Sequence, residues 1–156
     1  RSVMSIKIEV TSREVLDVLS QYLELAENPQ KIMDAIGATL DTQVSNRFET
    51  ETDPDGVPWA PWMQSTVDSY PREEDPGHGN ILDRYGHLMQ NRSWTVDDTS
   101  VTYGLANFYG AFHEFGTKDM VRRGILTSNP DTGELGSADQ EKILETIYDN
   151  LGFLTK

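Results

Sequence analysis

The chain has 156 residues, of which 37% are hydrophobic and 25% are charged. This length and composition are typical of one globular domain with a modest core, and they exclude a disordered chain. No apolar run reaches the roughly 18 residues that a membrane-spanning helix needs, so we expect no membrane segment. The chain contains no cysteine, which excludes disulfides and thiolate metal sites.

The formal net charge of −13 limits the partners that the chain can have. Such a chain repels DNA phosphate, so we do not expect it to coat nucleic acid. Three interpretations of the acidity stay open. It can serve solubility, it can form a surface that DNA passes without adhering, or it can mimic DNA and block a DNA-binding enzyme.

The first 50 residues predict a short strand followed by two helices. The letters IKIEV alternate apolar and polar side chains, as a strand does. Thr11 and Glu14 have capping-box spacing, and Asn28-Pro29 reads as a helix cap with a first-turn proline. Each signal is followed by an apolar stripe at helical spacing. We therefore expect an antiparallel helix pair within residues 12–49, with these stripes inside: Val15, Leu16, Leu19, Tyr22 and Leu23, then Met33, Ile36, Leu40, Val44 and Phe48.

The segment DPDGVPWAPW ends the second helix, because its prolines and glycine forbid regular structure. Asp55-Gly56 is a turn signal. Trp59 and Trp62 either plug the open end of the helix pair or anchor a contact with another chain. The polar stretch that follows predicts an exposed, mobile loop at about 71–80.

The letters SWTVDDTSVTYGLA predict a β-hairpin over 93–105, with a turn from Asp97 to Ser100. Two helices are predicted after it. A short aromatic helix places Phe108, Phe112 and Phe115 on one face, as core residues, and ends at Gly116. A final amphipathic helix starts with the capping-box pair Ser137 and Gln140, stops at Gly152, and presents Ile143, Leu144, Ile147 and Leu151 to the core.

The predicted fold is therefore α+β in a single domain over residues 1–156. It combines the N-terminal helix pair, a small antiparallel sheet built on the hairpin, the short aromatic helix, and the C-terminal helix packed against the rest.

The pair His113-Glu114 is the strongest candidate for chemistry, and it lacks the residues that chemistry would need. A zinc hydrolase helix requires H-E-x-x-H, and Thr117 stands where the second histidine belongs. A deaminase site requires cysteines. We therefore predict no metal, no cofactor and no catalytic residue, and expect His113 to hydrogen-bond a neighbouring loop. Asp53 and Asp55 could hold a cation, but the rest of a calcium loop is missing.

A basic cluster stands out against the acidic background. Lys118, Arg122 and Arg123 follow the aromatic helix closely. They are either ordinary surface cations or a patch that meets an acidic patch on a neighbouring copy. Opposed patches on one chain favour head-to-tail assembly into a ring.

Four short motifs occur in an order that resembles a known family. They are Arg47-Phe48 at a helix end; Asp55-Gly56 to Trp59; Leu82, Gly86 and Leu88 before the hairpin; and Tyr109, His113, Phe115 and Gly116. In this order they resemble the tail-completion, or virion morphogenesis, proteins of tailed bacteriophages, the Mu-like family. The chain departs from that family in an acidic stretch, PREEDPG, where the family has a basic one. It departs again at Val121–Ile125, where the family tends to carry a Pro-Ala-Arg-Pro-Phe segment.

The resemblance implies structural work rather than catalysis. It implies a ring, six-membered by family analogy, at the head-proximal end of the tail, in a virion assembled in the bacterial cytoplasm. The ring would contact connector or neck proteins on one side and tail-tube or terminator proteins on the other, while DNA passes through its lumen without specific binding. Our candidate interface residues are Trp59, Trp62, Lys118, Arg122 and Arg123.

Two alternative functions differ from this one in class. The first is an acidic inhibitor that mimics DNA, and the second is a metal-dependent enzyme that uses His113 with nearby carboxylates.

Overall fold

A computed structural model describes residues 4–8, 17, 20–21, 28–69, 81–82, 87–98, 100–105 and 109–154. Its mixture of helices with a small antiparallel sheet confirms the predicted α+β class. The loop predicted at 71–80 lies outside the described residues, as do most residues of the first predicted helix. Of that helix, Asp17, Ser20 and Gln21 are described, and all three are helical and exposed.

Three antiparallel strands form the sheet. They are β1 (Met4–Ile8), β2 (Arg92–Val96) and β3 (Val101–Leu105), in the order β1-β3-β2. β2 and β3 are the predicted hairpin, with Val96 opposite Val101. Asp97 closes the turn, since its carboxylate accepts hydrogen bonds from the amide and the hydroxyl of Ser100 at 2.7 and 2.8 Å. β1, which overlaps the strand predicted from alternation at residues 6–10, pairs with β3 along the other edge.

The long helix α1 (Pro29–Thr50) packs against this sheet. It buries every member of the predicted stripe: Met33, Ile36, Leu40, Val44 and Phe48. Pro29 occupies the first turn as predicted, whereas the Asn28 side chain makes no capping hydrogen bond. The helix ends at Thr50, and the next residue, Glu51, caps it in the left-handed conformation with φ of 56°.

Two contacts fix α1 on the sheet. Trp94 of β2 lies over Gly37, so closely that a Cβ atom there would lie 2.2 Å from Trp94 Cδ1. Tyr103 of β3 donates its hydroxyl to Asp41 Oδ1 at 2.6 Å, and its ring stacks on that of Trp94. Burial, with Asp41 nearby, raises the pKa of Tyr103 well above its usual range, so it stays a donor.

Four further helices complete the described fold. The first two, α2 (Gln64–Ser69) and α3 (His87–Gln90), are short. The other two are α4 (Tyr109–Phe115) and α5 (Ser137–Leu154), and α5 packs along α1. Ile143 and Ile147 of α5 are buried and Leu144 is partly buried, as predicted.

The two C-terminal helices differ from prediction in three details. Phe112 and Phe115 are 45% and 51% exposed, so the prediction that they belong to the core is wrong, while Phe108 lies outside the described residues. The buried side chain on that helix is Glu114 instead, because it faces amide groups that need an acceptor. Helix α5 continues through Gly152 to Leu154. Gln140 donates its side-chain amide to the Leu135 carbonyl rather than completing a capping box.

A buried polar cluster as candidate functional site

Glu114 is a fully buried carboxylate that holds the loop from Arg122 to Thr127. Its Oε2 accepts the amide hydrogens of Ile125 and Leu126 at 2.7 and 2.9 Å. Its Oε1 accepts the Thr127 amide at 2.8 Å and the Thr127 hydroxyl at 2.5 Å. Four charge-assisted hydrogen bonds offset the cost of burying the carboxylate and fix the loop against α4.

Two arginines in the same loop turn inward. Arg122 donates Nε to the Glu114 carbonyl at 2.7 Å and Nη2 to the Thr127 carbonyl at 2.5 Å. Its guanidinium also lies 3.5 Å from Glu114 Oε1. Arg123 is 8% exposed and donates to the carbonyl oxygens of Ala60 and Pro61, both at 2.8 Å. Both side chains therefore use their donors within the chain.

Trp59 enters the same cluster from the turn after α1. Its ring is 5% exposed and packs edge-on against Phe48, with ring centroids 5.6 Å apart. The indole nitrogen donates to the Gly124 carbonyl at 2.9 Å. Asp53 shapes the turn that delivers it, since its Oδ1 accepts the amides of residues 55 and 57 at 2.9 Å. Asp53 is thus a turn-capping residue.

Arg47 joins the loop to the last helix. It is 5% exposed, donates Nη1 to the Ile125 carbonyl at 2.7 Å, and forms an ion pair with Asp139, which is fully buried. Gln43 donates to the same Asp139 oxygen at 3.2 Å, while Oδ2 of Asp139 is buried without a hydrogen-bond partner. Asp139 lies in the first turn of α5, where the helix dipole favours a carboxylate.

His113 takes part through its backbone. Its carbonyl accepts the Arg123 amide at 2.8 Å, so the bond to the neighbouring loop is made by the backbone of this residue and not by its imidazole. Its Nδ1 atom is buried and has no hydrogen-bond partner. Burial, and secondarily the nearby Arg123 cation, lowers the pKa of His113 to about 4. The imidazole is therefore neutral at pH 7.

We use the term buried polar cluster for the set Arg47, Trp59, Glu114, Arg123 and Asp139. Sequence reasoning singled out Glu114 only as a partner for His113 in catalysis, and it passed over Asp139 entirely. The signal available was the spacing of Arg47 among apolar residues of a helix, where a cation requires a buried acceptor. The acceptor itself could not be identified, because 92 residues separate Arg47 from Asp139.

The candidate interface residues fall into two groups. Trp59 and Arg123 lie in the interior, and Arg122 is half-buried with its donors engaged. Lys118 is exposed and Trp62 is half-exposed. The basic cluster that the sequence suggested is thus divided by the fold, since one of its three cations points to solvent.

The described surface is more acidic than the composition alone implies. Its arginines are buried or half-buried, and its exposed cations are Lys31, Lys118 and Lys142. Exposed carboxylates far outnumber these lysines: Asp17, Asp34, Glu49, Asp55, Asp68, Asp97, Asp98, Asp119, Asp131, Glu134, Glu141, Glu145 and Asp149. Because the described arginines are buried or half-buried, the described surface carries less positive charge than the composition suggests.

The side chains of the buried polar cluster connect separate segments of the chain through hydrogen bonds. Both oxygens of Glu114 accept hydrogen bonds from the chain, which leaves this carboxylate little capacity to act on a substrate. Within the described residues, no group of three histidine, aspartate or glutamate side chains is placed to hold a metal ion. No helix in that part of the chain has the length and apolar character needed to cross a membrane.

Comparison with known proteins agrees with the motif pattern. The model of the phage virion morphogenesis family matches residues 10–152. No curated protein sequence and no solved structure matched the chain. The matched range contains all five residues of the buried polar cluster, from Arg47 to Asp139. The chain therefore belongs to the phage virion morphogenesis family.

Proposed function

We propose that this protein completes the phage tail and helps to join it to the filled head, as a ring of identical subunits at the head-proximal end of the tail. Family membership indicates a structural, virion-associated role. The finer assignment to tail completion extends the resemblance of the motifs. Within this chain, the motif residues Arg47 and Trp59, with Glu114, hold the fold together.

The observation that carries the proposal is the engagement of Glu114. A catalytic carboxylate needs a free oxygen near a reacting atom. Here three backbone amides and one hydroxyl occupy this carboxylate at 2.5–2.9 Å. In the His113-Glu114 motif, which suggested an enzyme, the glutamate thus stabilises a loop of the fold. This favours a role in assembly over a metal-dependent reaction at His113.

The acidic surface supports a role beside DNA that does not involve binding it. A lumen lined with carboxylates repels phosphate and lets DNA slide through. We therefore propose that exposed carboxylates face the ring lumen. A ring structure with a neutral or basic lumen would contradict this part of the proposal.

Self-assembly is tested first in solution. We expect light scattering of the purified protein, across concentration and at low and high salt, to show a ring-sized species, with rings visible in negative-stain images. A strict monomer under all conditions removes the support for spontaneous ring closure. Assembly must then be measured on purified tails, where a partner surface is present.

The role in the virion is tested by interrupting the gene in a phage that carries it. We expect filled heads and tails to accumulate separately, and purified protein added to the lysate to restore infectious particles. Particles of normal yield and structure without the protein would overturn the proposal.

The acidic surface also favours a second candidate, an inhibitor that mimics DNA. Such a protein would remain a monomer or dimer, would bind a nuclease or another DNA-binding protein, and would be missing from purified virions. Mass spectrometry of purified virions therefore separates the two functions, because a tail-completion subunit is retained in the particle.

A further inference from the structure

Exposed apolar side chains occur on α4 and on the segment that follows it. Phe112 and Phe115 sit at i and i+3 on α4, 45% and 51% exposed, and Val121 is 50% exposed. Gly116, with φ of 73°, reverses the chain so that a Cβ atom there would lie 3.1 Å from the Arg122 amide nitrogen. The reversal returns Val121 to the end of α4. We call Phe112, Phe115, Lys118 and Val121 the α4 patch.

Two hydrogen bonds to the segment that carries Arg122 and Arg123 hold the backbone beneath the α4 patch. The Arg123 amide bonds the His113 carbonyl at 2.8 Å, and the Arg122 guanidinium bonds the Glu114 carbonyl at 2.7 Å. Exposed aromatic side chains on a fixed backbone lose little conformational entropy when they are covered. Such a surface is typical of a protein contact site.

A second surface on the same chain has complementary character. The outer side of α5 carries Glu141, Glu145, Tyr148 and Asp149, and all four are exposed. Glu141 lies four residues before Glu145, and Tyr148 and Asp149 lie three and four residues after it, so the four share one helix face. Tyr148 is 50% exposed and is flanked by carboxylates on both sides along the helix. We call these four residues the α5 face.

Charge decides which occupant fits the α4 patch. Copies of a chain with net charge −13 repel one another, so they associate where local charge is low or opposite. Lys118 is exposed, and beside Asp119 it leaves the patch near neutral. Of the two other exposed lysines described, Lys31 lies at the start of α1 and Lys142 pairs with Glu145 at 3.0 Å. Of these three exposed lysines, Lys118 is the one that lies in a segment with exposed apolar side chains.

We propose that the α4 patch of one copy binds the α5 face of the next, with Lys118 beside the carboxylates and the phenylalanines against Tyr148. Both surfaces are exposed in the same copy, so they do not cover each other within one chain. A contact between two different surfaces is heterologous, and it repeats from copy to copy until a ring closes. The inference rests on the proposed ring function and names the surfaces that build it.

Charge reversal tests the pairing within the ring. We expect Lys118→Glu alone and Glu145→Lys alone each to weaken self-association at least tenfold, since each places like charges together. The double variant, and an equal mixture of the two single variants, regain association because every contact again pairs opposite charges. Lys31→Glu and Glu49→Lys are matched controls outside both surfaces. Equal weakening by these controls, or no recovery in the double variant, would overturn the pairing.

Cross-linking gives a readout that does not depend on the stability of free rings. The chain has no cysteine, so Lys118→Cys and Glu145→Cys each introduce a single thiol. We expect a short thiol cross-linker to join the two variants in a mixture, both at high protein concentration and on assembled tails. Neither variant should cross-link to itself.

The cross-linking outcome separates the contact from the function. Completed tails without the mixed cross-link would overturn the α4–α5 contact while leaving the proposed function standing. The mixed cross-link without any joining of heads and tails would overturn the proposed function while leaving the α4–α5 contact standing. Cross-linking of Lys118→Cys copies to one another would indicate a symmetric dimer and would overturn the head-to-tail arrangement.

Discussion

Glu114 is the residue on which the loop from Arg122 to Thr127 depends. Removing its carboxylate leaves three buried amides and a hydroxyl without an acceptor. The stability of the fold is lowered in two ways. The hydrogen bonds are lost, and the buried donors stay unpaired because they cannot reach water.

We predict that Glu114→Ala lowers the free energy of unfolding by about 3–5 kcal/mol, the range for breaking a buried charged contact. Glu114→Gln should lower it by less, since the amide keeps one acceptor oxygen. Chemical denaturation measures both, with the exposed Glu49→Ala as control. A loss below about 1 kcal/mol for Glu114→Ala, within the range of one ordinary hydrogen bond, would contradict the role of this residue.

His113 makes stability depend on pH at the residue scale. Burial lowers the pKa of His113 to about 4, below the value near 6.5 of the unfolded chain. The unfolded state therefore binds a proton first, so this contribution to stability is complete above about pH 6.5 and is lost as the pH falls toward 4.

We predict that the free energy of unfolding of the wild type falls between pH 6.5 and 5, and that His113→Asn falls less over that window. Denaturation at several pH values gives the difference between the two proteins, which isolates His113 from carboxylates common to both. Parallel curves for the two proteins would show that the His113 environment does not disfavour the charged ring.

At the scale of elements, the packing of α1 on β2 depends on Gly37. A Cβ atom at that position would lie 2.2 Å from Trp94 Cδ1, well inside van der Waals contact. Alanine is the better helix former by about 1 kcal/mol, so helix propensity and packing predict opposite effects of the same change.

We predict that packing dominates and that Gly37→Ala destabilises the protein by about 1–3 kcal/mol. In a Trp94→Ala background the same change should cost nothing or should stabilise. A double-mutant cycle by denaturation measures this difference. An equal cost in both backgrounds would exclude the Trp94 contact as the cause.

The turn that carries Trp59 is held by a distant element. Arg123 donates to the carbonyls of residues 60 and 61, and the turn has its own bond from the Trp59 amide to the Glu51 carbonyl at 2.7 Å. The guanidinium fork satisfies two carbonyls at once, which no neutral side chain of similar length can do.

We predict that Arg123→Met, which keeps a long stem and removes the donors, speeds hydrogen exchange in peptides covering residues 53–61. Lys118→Met, at an exposed position of the same segment, should leave that exchange unchanged. Unaltered protection of the turn in Arg123→Met would show that Trp59 and Asp53 hold it without Arg123.

Across the described residues, positive and negative side chains are distributed differently between the interior and the surface. The fold turns Arg47, Arg92, Arg122 and Arg123 inward or half-inward, where they bind carbonyls and carboxylates. Most carboxylates of the described residues are exposed, with the buried Glu114 and Asp139 as exceptions. Cations used for internal joints are not available to DNA phosphate.

We predict that the purified protein does not bind duplex DNA, even at about 0.05 M salt, where phosphate contacts are strongest. Fluorescence anisotropy of a labelled duplex should stay constant as protein is added. Non-specific DNA-binding proteins bind with dissociation constants of roughly 10⁻⁴–10⁻⁶ M. A constant in that range would contradict the proposal of a non-adhering lumen.

Features that depend only on neighbours along the chain could be predicted from local sequence patterns. Helical periodicity identified the buried stripe of α1, because residues spaced by three and four share a face whatever the rest of the fold does. Alternation and turn residues likewise identified the hairpin of β2 and β3, whose facing ends, Val96 and Val101, have only four residues between them. The order of short motifs indicated the family, which the match over residues 10–152 confirmed.

Which side of α4 faces inward depends on contacts with distant parts of the chain, so local patterns could not predict it. The spacing of Phe112 and Phe115 indicated a core face, yet Glu114 is buried because the loop from Arg122 to Thr127 presents amides that need an acceptor. The same holds for the pairing of Arg47 with Asp139 across 92 residues. Local patterns state which side chains share a face, whereas the choice between faces depends on hydrogen-bond partners that arrive from distant parts of the chain.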